Sequence, residues 1–321
     1  MPNIILILIA QHEVYGVDHL LNYKLGNKPL NSIWLTFFHL KTYLDKNKLS
    51  YFSININNKD YESNLYNKEF NYCISIFNDI NGFNKKNIDN YEIINNLKQT
   101  LKCKFFLLTE ILSEQNFNKI SEYFDFIFTN RRTEFKNSIS LGFAANETIL
   151  KPSKDSKLLN ILIDHTAYNK KHFLTKDKTK FIIQEIFKNK FDKQFVVKRF
   201  INSKIETVID VNCEIEQYNR VGVNILEAYH EYNKADIFFV THPESMGLSV
   251  IECAMAGCLI VSPKNYIKPE FLANINHIEF ENILDWSQIL KKINFKKSRK
   301  LALNKTWSIF YNKMFTQINK Y

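Results

Sequence analysis

The first half of the chain alternates short apolar runs with longer segments in which apolar residues recur every three or four positions. The runs open with "NIILILIA" and return in "SYFSINI", "FNYCISIF", "CKFFLLTE" and "FDFIFTN". After the first run, residues 30–47 place Ile33, Phe37, Leu40 and Leu44 at helical spacing. This alternation predicts a mostly parallel β-sheet covered by helices.

The second half of the chain repeats the same alternation. It contains the apolar runs "LLNILIDH", "FVVKRF", "IETVIDV", "ADIFFVTH" and "CLIVSP", separated by helical patterns such as "GVNILEAYHEYNK". These runs are apolar on both faces, which is typical of internal parallel strands. We therefore predict an α/β protein with two Rossmann-like, doubly wound domains.

A polar segment near the middle, "LKPSKDSK", separates the two halves. The chain has 321 residues, which suits two domains of roughly 150 residues each better than one core. We predict an N-terminal domain over residues 1–150, a C-terminal domain over 151–300 and a closing helix over 301–321. The apolar side chains at helical spacing in that last segment are Leu303, Trp307, Phe310 and Met314.

The composition favours a folded protein in a reducing compartment. Hydrophobic residues make up 45% of the chain and aromatic residues 14%, enough to bury sizeable cores. The five cysteines are an odd number without zinc-ligand spacing, which favours free thiols over a disulfide scaffold. No run approaches the roughly 20 apolar residues that a membrane-spanning helix needs. We therefore expect a cytoplasmic protein.

The chain is basic, with a formal net charge of +10, and this favours an anionic partner such as a nucleotide, an acidic glycan, an anionic lipid surface or a nucleic acid. Nucleic acid is the least favoured, because we find no recognition-helix motif and no compact basic block with interleaved aromatic residues. Peripheral contact of the aromatic helix at residues 31–44 with an anionic membrane is a further hypothesis. A buried domain helix explains the same pattern.

The segment "PESMGLSVIECAMAGCLIVSP", residues 243–263, has the most specific chemistry. We predict a helix that begins near Leu248 and ends at Gly257, a residue suited to the position after a helix end. Its first N–H groups, at Leu248 and Ser249, would face outward beyond the carboxyl end of a parallel strand, where open α/β sheets bind anionic ligands. Gly247 would let a ligand approach the backbone. The pattern therefore predicts a phosphate-binding helix end.

Two glutamates lie beside this helix end. Glu252 is one turn into the helix, and helical side chains lean toward the N-terminus, so its carboxylate can reach a ligand held there. A carboxylate accepts hydrogen bonds, so a ribose diol is a suitable partner. Glu244, in the preceding loop, would face the other side of the same ligand. As alternatives, Glu252 could simply be a favourable partner of the helix dipole and Glu244 a solvated loop residue.

The sequence of residues 235–263 resembles the donor site of retaining glycosyltransferases of family 4, which have the GT-B fold. The shared pattern is a strand after Ala-Asp, two glutamates with seven residues between them, then Ala-Met-Ala-x-Gly and a returning strand. Ser245 and Met246 stand where the family has Gly and Phe. The convincing match covers about residues 221–263. It implies two domains that face each other across a cleft, with the C-terminal helix packing back toward the N-terminal domain.

The resemblance also implies roles for individual residues. Glu252 would bind the nucleotide ribose, and Glu244 would contact the donor sugar. The neighbouring donor-binding residues would be Met246, Gly247, Leu248 and Ser249. The reaction implied is transfer of a sugar from a nucleoside-diphosphate sugar to an acceptor hydroxyl, of a cell-surface glycan or a lipid-linked saccharide, with retention at the anomeric carbon. No cofactor and no metal are implied, and no protein general base is assigned.

The family neutralises the diphosphate with an Arg and a Lys after the first strand of the second domain. Here that loop reads "DHTAYNKKHF". Lys170 or Lys171 falls near the lysine position, and with Glu244 these two are the catalytic candidates. His165 or Thr166 stands where the arginine is usual, which is the clearest departure from the family.

Other candidates lie at predicted strand ends. Lys198 and Arg199, at the end of "FVVKRF", could supply the missing positive charge, or form a solvated strand end. His12, Tyr15 and Gly16 follow the first strand and are candidates for the acceptor side of the cleft, although a structural role explains them as well.

Other functions fit part of the pattern. Paired carboxylates also occur in glycosidases, but Glu252 turns toward a phosphate-binding helix end instead of flanking a glycosidic bond. A GT-B-fold sugar-nucleotide epimerase would share the donor domain. A glycosyltransferase for modified DNA bases would suit the charge, and a non-catalytic nucleotide-sugar-binding protein would suit the substituted positions.

Overall fold

Two six-stranded β-sheets organise the described part of the chain in a computed structural model. The structure describes residues 4–9, 32–56, 65, 68–76, 85–109, 117–118, 120–130, 135–164, 173–201, 204–211, 225–241, 243 and 248–321. These residues form two units. The first contains one sheet and the C-terminal residues Trp307–Tyr321, and the second contains the other sheet, within Phe143–Thr306.

Strands and helices alternate along both units. The strands are β1 (Ile4–Ile9), β2 (Ser50–Asn55), β3 (Tyr72–Ile76), β4 (Lys104–Thr109), β5 (Phe126–Thr129), β6 (Ser138–Ser140), β7 (Leu158–Ile163), β8 (Gln194–Ile201), β9 (Lys204–Val208), β10 (Ile237–Phe239), β11 (Leu259–Pro263) and β12 (His277–Phe280). The helices are α1 (Ser32–Lys46), α2 (Lys85–Leu101), α3 (Phe173–Lys188), α4 (Ile225–Lys234), α5 (Leu248–Met255), α6 (Pro269–Leu272), α7 (Trp286–Lys292), α8 (Phe295–Ala302) and α9 (Trp307–Ile318).

The first sheet is parallel throughout, with the strand order β2-β1-β3-β4-β5-β6. Successive side chains of a strand point to opposite faces of the sheet, so each buried strand contributes side chains to the apolar core on either face. On one face, Leu6 and Phe105 pack with Ile94 of α2. On the other face, Phe106 contacts Tyr321 from the C-terminus. The sheet is therefore covered on both faces, as its continuous apolar runs predict.

The C-terminal helix α9 packs against α1 of the first unit. The Tyr311 hydroxyl donates a hydrogen bond of 2.5 Å to the carbonyl oxygen of Thr36. The rings of His39 and Trp307 are stacked with their centroids 4.6 Å apart, and burial lowers the pKa of His39 to about 3, so the stacked imidazole is neutral. The prediction that the C-terminal helix packs back on the N-terminal domain is confirmed.

The second sheet has the order β12-β11-β10-β7-β8-β9, and its neighbours are parallel except for the antiparallel pair β8 and β9. Counted in chain order, this is the 3-2-1-4-5-6 arrangement of dinucleotide-binding folds. Leu162 and Phe238 pack on the face covered by α4, α5 and α8. Ile161 and Ile237 pack on the face covered by α3 and α7. The predicted doubly wound second domain is confirmed.

The α1 helix is part of the core. Its apolar side chains Leu35, Phe37, Leu40 and Leu44 are all buried. We therefore do not assign membrane contact to this helix. Its aromatic pattern is explained by burial within a domain. None of the described helices combines the length and apolarity that crossing a bilayer requires.

The four described cysteines are free thiols, as predicted. Cys73, Cys253 and Cys258 are buried, and Cys103 is partly buried. Cys213 lies outside the described residues.

Candidate functional site

The carboxyl ends of β7 and β10 mark the topological switch point of the second sheet. From β7 the chain continues to β8 on one side, while β10 pairs with the other side of β7. Open α/β sheets bind ligands in the crevice outside such a point. Asp164 and Thr241, which follow the two strands within two residues, are both buried. The switch point therefore lies next to the start of residues 243–263, the segment for which the sequence predicts ligand binding.

The helix of this segment forms as predicted. It starts at Leu248, and Gly257 follows its end with a φ of +91°, in the left-handed region that favours glycine. A Cβ at Gly257 would also come within 2.9 Å of Pro152, so the close approach of this segment requires glycine. Leu248 and Ser249 are half-buried. The first-turn N–H groups have no acceptor within the helix, so this end can bind an anion.

Glu252 is buried one turn into α5, with 6% of its surface exposed. The Tyr229 hydroxyl donates a hydrogen bond of 2.7 Å to its Oε1 atom. Burial raises the pKa of Glu252 from 4.5 to about 7, against a smaller lowering by the Tyr229 hydrogen bond. The carboxyl group is therefore poised to change its protonation state near neutral pH. Among the described residues no second donor is bonded to this carboxylate, which keeps acceptor capacity for a ligand.

Tyr229 is a site residue that sequence reasoning missed. It lies in the buried stripe of α4, with Ala228 and Tyr232. A buried tyrosine hydroxyl usually finds a hydrogen-bond partner, and here that partner is the buried carboxylate on the neighbouring helix. Two features of the sequence could have indicated this contact. Tyr229 lies on the apolar face of its helix, and Glu252 has apolar neighbours in the next helix along the chain.

Tyr229→Phe is expected to destabilise the protein by about 2 kcal/mol above pH 7, because the ionised Glu252 loses a buried hydrogen bond. Near pH 5, where Glu252 is protonated, the loss should be smaller, since the pKa of Glu252 is about 7. Urea unfolding at the two pH values measures the difference. Tyr232→Phe is the matched control, because this tyrosine is buried on the same helix while the hydrogen bond to Glu252 comes from Tyr229. Equal losses in both variants would contradict the assigned contact.

Lys198 and Arg199 are placed differently from the prediction. They lie inside β8, which continues to Ile201 because it pairs with β9. Lys198 forms an ion pair of 2.7 Å with Glu231. Buried Arg199 donates from Nη2 and Nε to Glu206 at 2.8 and 3.0 Å. Both cations already have carboxylate partners.

The other predicted site residues lie outside the described part of the chain. The donor-side candidates that lie outside the described residues are Glu244, Met246, Gly247, His165, Lys170 and Lys171. The acceptor-side candidates His12, Tyr15 and Gly16 also lie outside them. Their roles stay predictions.

The described residues offer no group of three His, Cys, Asp or Glu side chains that could hold a metal ion. That no metal is needed stays a prediction from the sequence. What the described residues bring together is a helix end suited to an anion and a buried carboxylate suited to hydroxyl groups, both at one end of the second sheet.

Comparison with known proteins supports the fold. No protein-family model matches the chain, and no curated protein sequence matches it. Among solved structures, a glycosyltransferase from Rickettsia africae ESF-5 is similar over 99% of this chain and 98% of that chain, with a TM-score of 0.53 and 12% identity. This likeness and the two doubly wound sheets confirm the predicted GT-B-like fold with two Rossmann-like domains.

Two further structures are similar. The structure of accessory secretory protein 1, 2 and 3 in Streptococcus pneumoniae has a TM-score of 0.51 and 11% identity, over 81% of this chain and 55% of that chain. The S. aureus MnaA–UDP co-structure has a TM-score of 0.49 and 9% identity, over 99% of this chain and 96% of that chain.

Proposed function

We propose that this chain is a glycosyltransferase that moves a sugar from a nucleoside-diphosphate sugar to an acceptor hydroxyl with retention of the anomeric configuration. The observation that carries the proposal is Glu252, a buried carboxylate one turn into a helix that begins at the switch point of the second sheet. The fold likeness to a glycosyltransferase supports the same class of reaction. The resemblance of residues 235–263 to the family 4 donor site supports the retaining stereochemistry.

The nucleotide ribose would bind at Glu252. Tyr229 donates one hydrogen bond to this carboxylate, so further lone pairs are available to two adjacent hydroxyls. A buried carboxylate is costly without donors, and ribose hydroxyls would compensate that cost. Hydroxyl donors would also favour the ionised form, so ligand binding is expected to lower the pKa of Glu252 from about 7.

The diphosphate would bind at the amino end of α5. The backbone N–H groups of Leu248 and Ser249 would donate to it, with Gly247 allowing close approach. Because Lys198 and Arg199 are paired with Glu231 and Glu206, we assign the neutralising charge to Lys170 and Lys171, with His165 in the position of the family's arginine.

The chemical step would break the bond between the anomeric carbon and the diphosphate and form a bond from that carbon to the acceptor oxygen on the same face of the sugar, while the acceptor's hydroxyl proton passes to the departing phosphate oxygen. Charge then grows on the departing phosphate oxygen, and the helix amides and the lysines would stabilise it in place, which is an electrostatic form of catalysis. Glu244 would hold the donor sugar. The acceptor, a cell-surface glycan or a lipid-linked saccharide, would approach from the side of His12, Tyr15 and Gly16. We assign no metal and no cofactor to this reaction.

A thermal-shift panel of UDP, GDP, dTDP and ADP sugars tests the proposal. A ligand that binds the folded state at 100 times its Kd adds about 2.7 kcal/mol of stability. We expect one nucleotide class to raise the melting temperature and to release nucleoside diphosphate slowly in the presence of water alone. Stabilisation without any release would favour a non-catalytic binding protein. A change of the sugar with no release would favour an epimerase.

A further inference from the structure

The positive charge of the chain is concentrated at its C-terminal end. Residues 286–321 contain nine of the 43 basic residues and no Asp or Glu. The preceding 285 residues contain the other 34 basic residues and all 33 acidic ones, so they are nearly neutral. The net charge of +10 is therefore largely a property of the last 36 residues and not of the composition as a whole.

The centre of this region is an exposed lysine face on α8, formed by Lys296, Lys297 and Lys300. The opposite side of the helix is buried through Ser298 and Ala302. Residues three and four positions apart are neighbours on a helix, so the three ammonium groups project from one side. Exposed Lys291, on the preceding helix α7, adds a fourth charge nearby in the chain.

No carboxylate in the described part of the chain neutralises the lysine face. None of its three lysines, nor Lys291, forms an ion pair or side-chain hydrogen bond with a described residue. Like charges four positions apart, as in Lys296 and Lys300, destabilise a helix. The one arginine of α8, Arg299, points inward and donates to backbone carbonyls instead. Within the ranges that the structure describes, the exposed ammonium groups of this face therefore have no side-chain partner.

Apolar side chains near these lysines in the sequence are also exposed in part. Leu290, Phe295 and Leu303 are 38%, 41% and 40% exposed. Leu303 follows Lys296 and Lys300 at helical spacing, so it continues the same stripe. A lysine stripe that continues into an exposed leucine suits the interface of a bilayer, where ammonium groups meet phosphates and apolar groups enter the headgroup region.

We propose that the lysine face of α8 binds the surface of an anionic lipid bilayer. Clusters of four to eight basic residues are attracted by the negative potential of anionic lipids. The exposed charges are all lysines, which act as point charges in such a field, whereas recognition of nucleic acid favours the bidentate fork of arginine. The lysines of this surface are not among the residues assigned to the nucleotide, and lipid binding by them needs no nucleotide.

Vesicle co-sedimentation of the full chain tests this inference. The probes are vesicles of phosphatidylcholine alone and vesicles in which roughly one third of the lipid is phosphatidylglycerol. We expect binding to the anionic vesicles only, and loss of that binding when salt is raised from about 0.1 M to about 1 M, which shortens the Debye length from about 10 to about 3 Å.

The triple variant Lys296→Gln, Lys297→Gln and Lys300→Gln should weaken the partition coefficient on the order of 100-fold. The matched control is Lys157→Gln, Lys180→Gln and Lys190→Gln, which removes the same charge from three exposed lysines of the same unit. This control should bind vesicles like the wild-type protein. Equal weakening in both triple variants, binding to neutral vesicles, or binding to DNA or RNA but not to vesicles would overturn the inference. An unchanged melting temperature of the α8 triple variant would exclude misfolding. The thermal-shift panel of nucleotide sugars tests the proposed function independently, so failure of one proposal can be told from failure of the other.

Discussion

Glu252→Gln is expected to weaken nucleotide-sugar binding on the order of 100-fold, because two ribose hydroxyls lose a charged acceptor. The glutamine keeps one carbonyl oxygen, which can still accept the hydrogen bond from Tyr229. The local fold should therefore survive, and the loss should be specific to the ligand. The measurement is the ligand-induced rise in melting temperature with the best nucleotide of the panel.

The same substitution is expected to stabilise the unliganded protein above pH 7. The pKa of Glu252 is raised by burial from 4.5 to about 7 in the folded protein. Between these values the folded protein holds a proton that the unfolded chain releases, so stability falls as pH rises through this window. Glutamine has no charge to bury, and its gain should approach about 3 kcal/mol above pH 7.

Urea unfolding of the wild-type protein and the variant across this pH window checks the sign. The difference in stability should grow from pH 4.5 to 7 and then level off. Glu227→Gln is the control, because Glu227 is an exposed carboxylate on α4. Parallel pH curves for the wild-type protein and Glu252→Gln would show that Glu252 is not buried as an ionisable group.

Arg299→Gln is expected to destabilise the second unit by about 3 kcal/mol. The guanidinium of Arg299 donates to the carbonyl oxygens of Met255 and Glu147, each at 2.8 Å, and also to that of Leu150. It therefore ties the C-terminal end of α5 to the segment that enters the second unit. A positive charge at a helix C-terminus is favourable as well. Shorter glutamine cannot reach three carbonyl oxygens.

Chemical unfolding measures this effect, with Lys300→Gln as the matched control on the same helix. Lys300 is exposed, so its removal should change stability little. Arg299→Lys should fall between the two, because an ammonium group cannot span the three acceptors. If Arg299→Gln were as stable as Lys300→Gln, the three hydrogen bonds of Arg299 would not contribute to stability.

The features of the site that could be predicted are those that depend on local sequence. The α5 helix and its end before Gly257 follow from helical spacing and from the φ that glycine allows. The two sheets could be predicted because parallel strands buried on both faces are apolar throughout. These signals need no knowledge of distant residues.

The features that could not be predicted depend on partners far apart in the chain. The run "FVVKRF" predicts Lys198 at a strand end with its charge available, yet its partner Glu231 lies 33 residues away on α4. Arg199 is paired with Glu206 on the antiparallel neighbour β9, which no pattern in "FVVKRF" indicates. The contact of Tyr229 with Glu252 likewise joins two helices.

The concentration of charge was visible in the sequence but was missed. The net charge of +10, taken over the whole chain, indicates only an anionic partner and no particular surface. Counting from Asp285 onward shows that acidic residues stop there while lysines continue. The exposure of Lys296, Lys297 and Lys300 on one side of α8 still required the structure, because helical spacing alone does not tell which face is covered.

A crystal structure with the nucleoside diphosphate that gives the largest thermal shift tests the central claim most directly. We predict ribose hydroxyls within hydrogen-bonding distance, about 3 Å, of the Glu252 carboxylate, and the diphosphate at the N–H groups of Leu248 and Ser249. A nucleotide bound elsewhere on the chain, with Glu252 still bonded to Tyr229 alone, would contradict the assignment of this site.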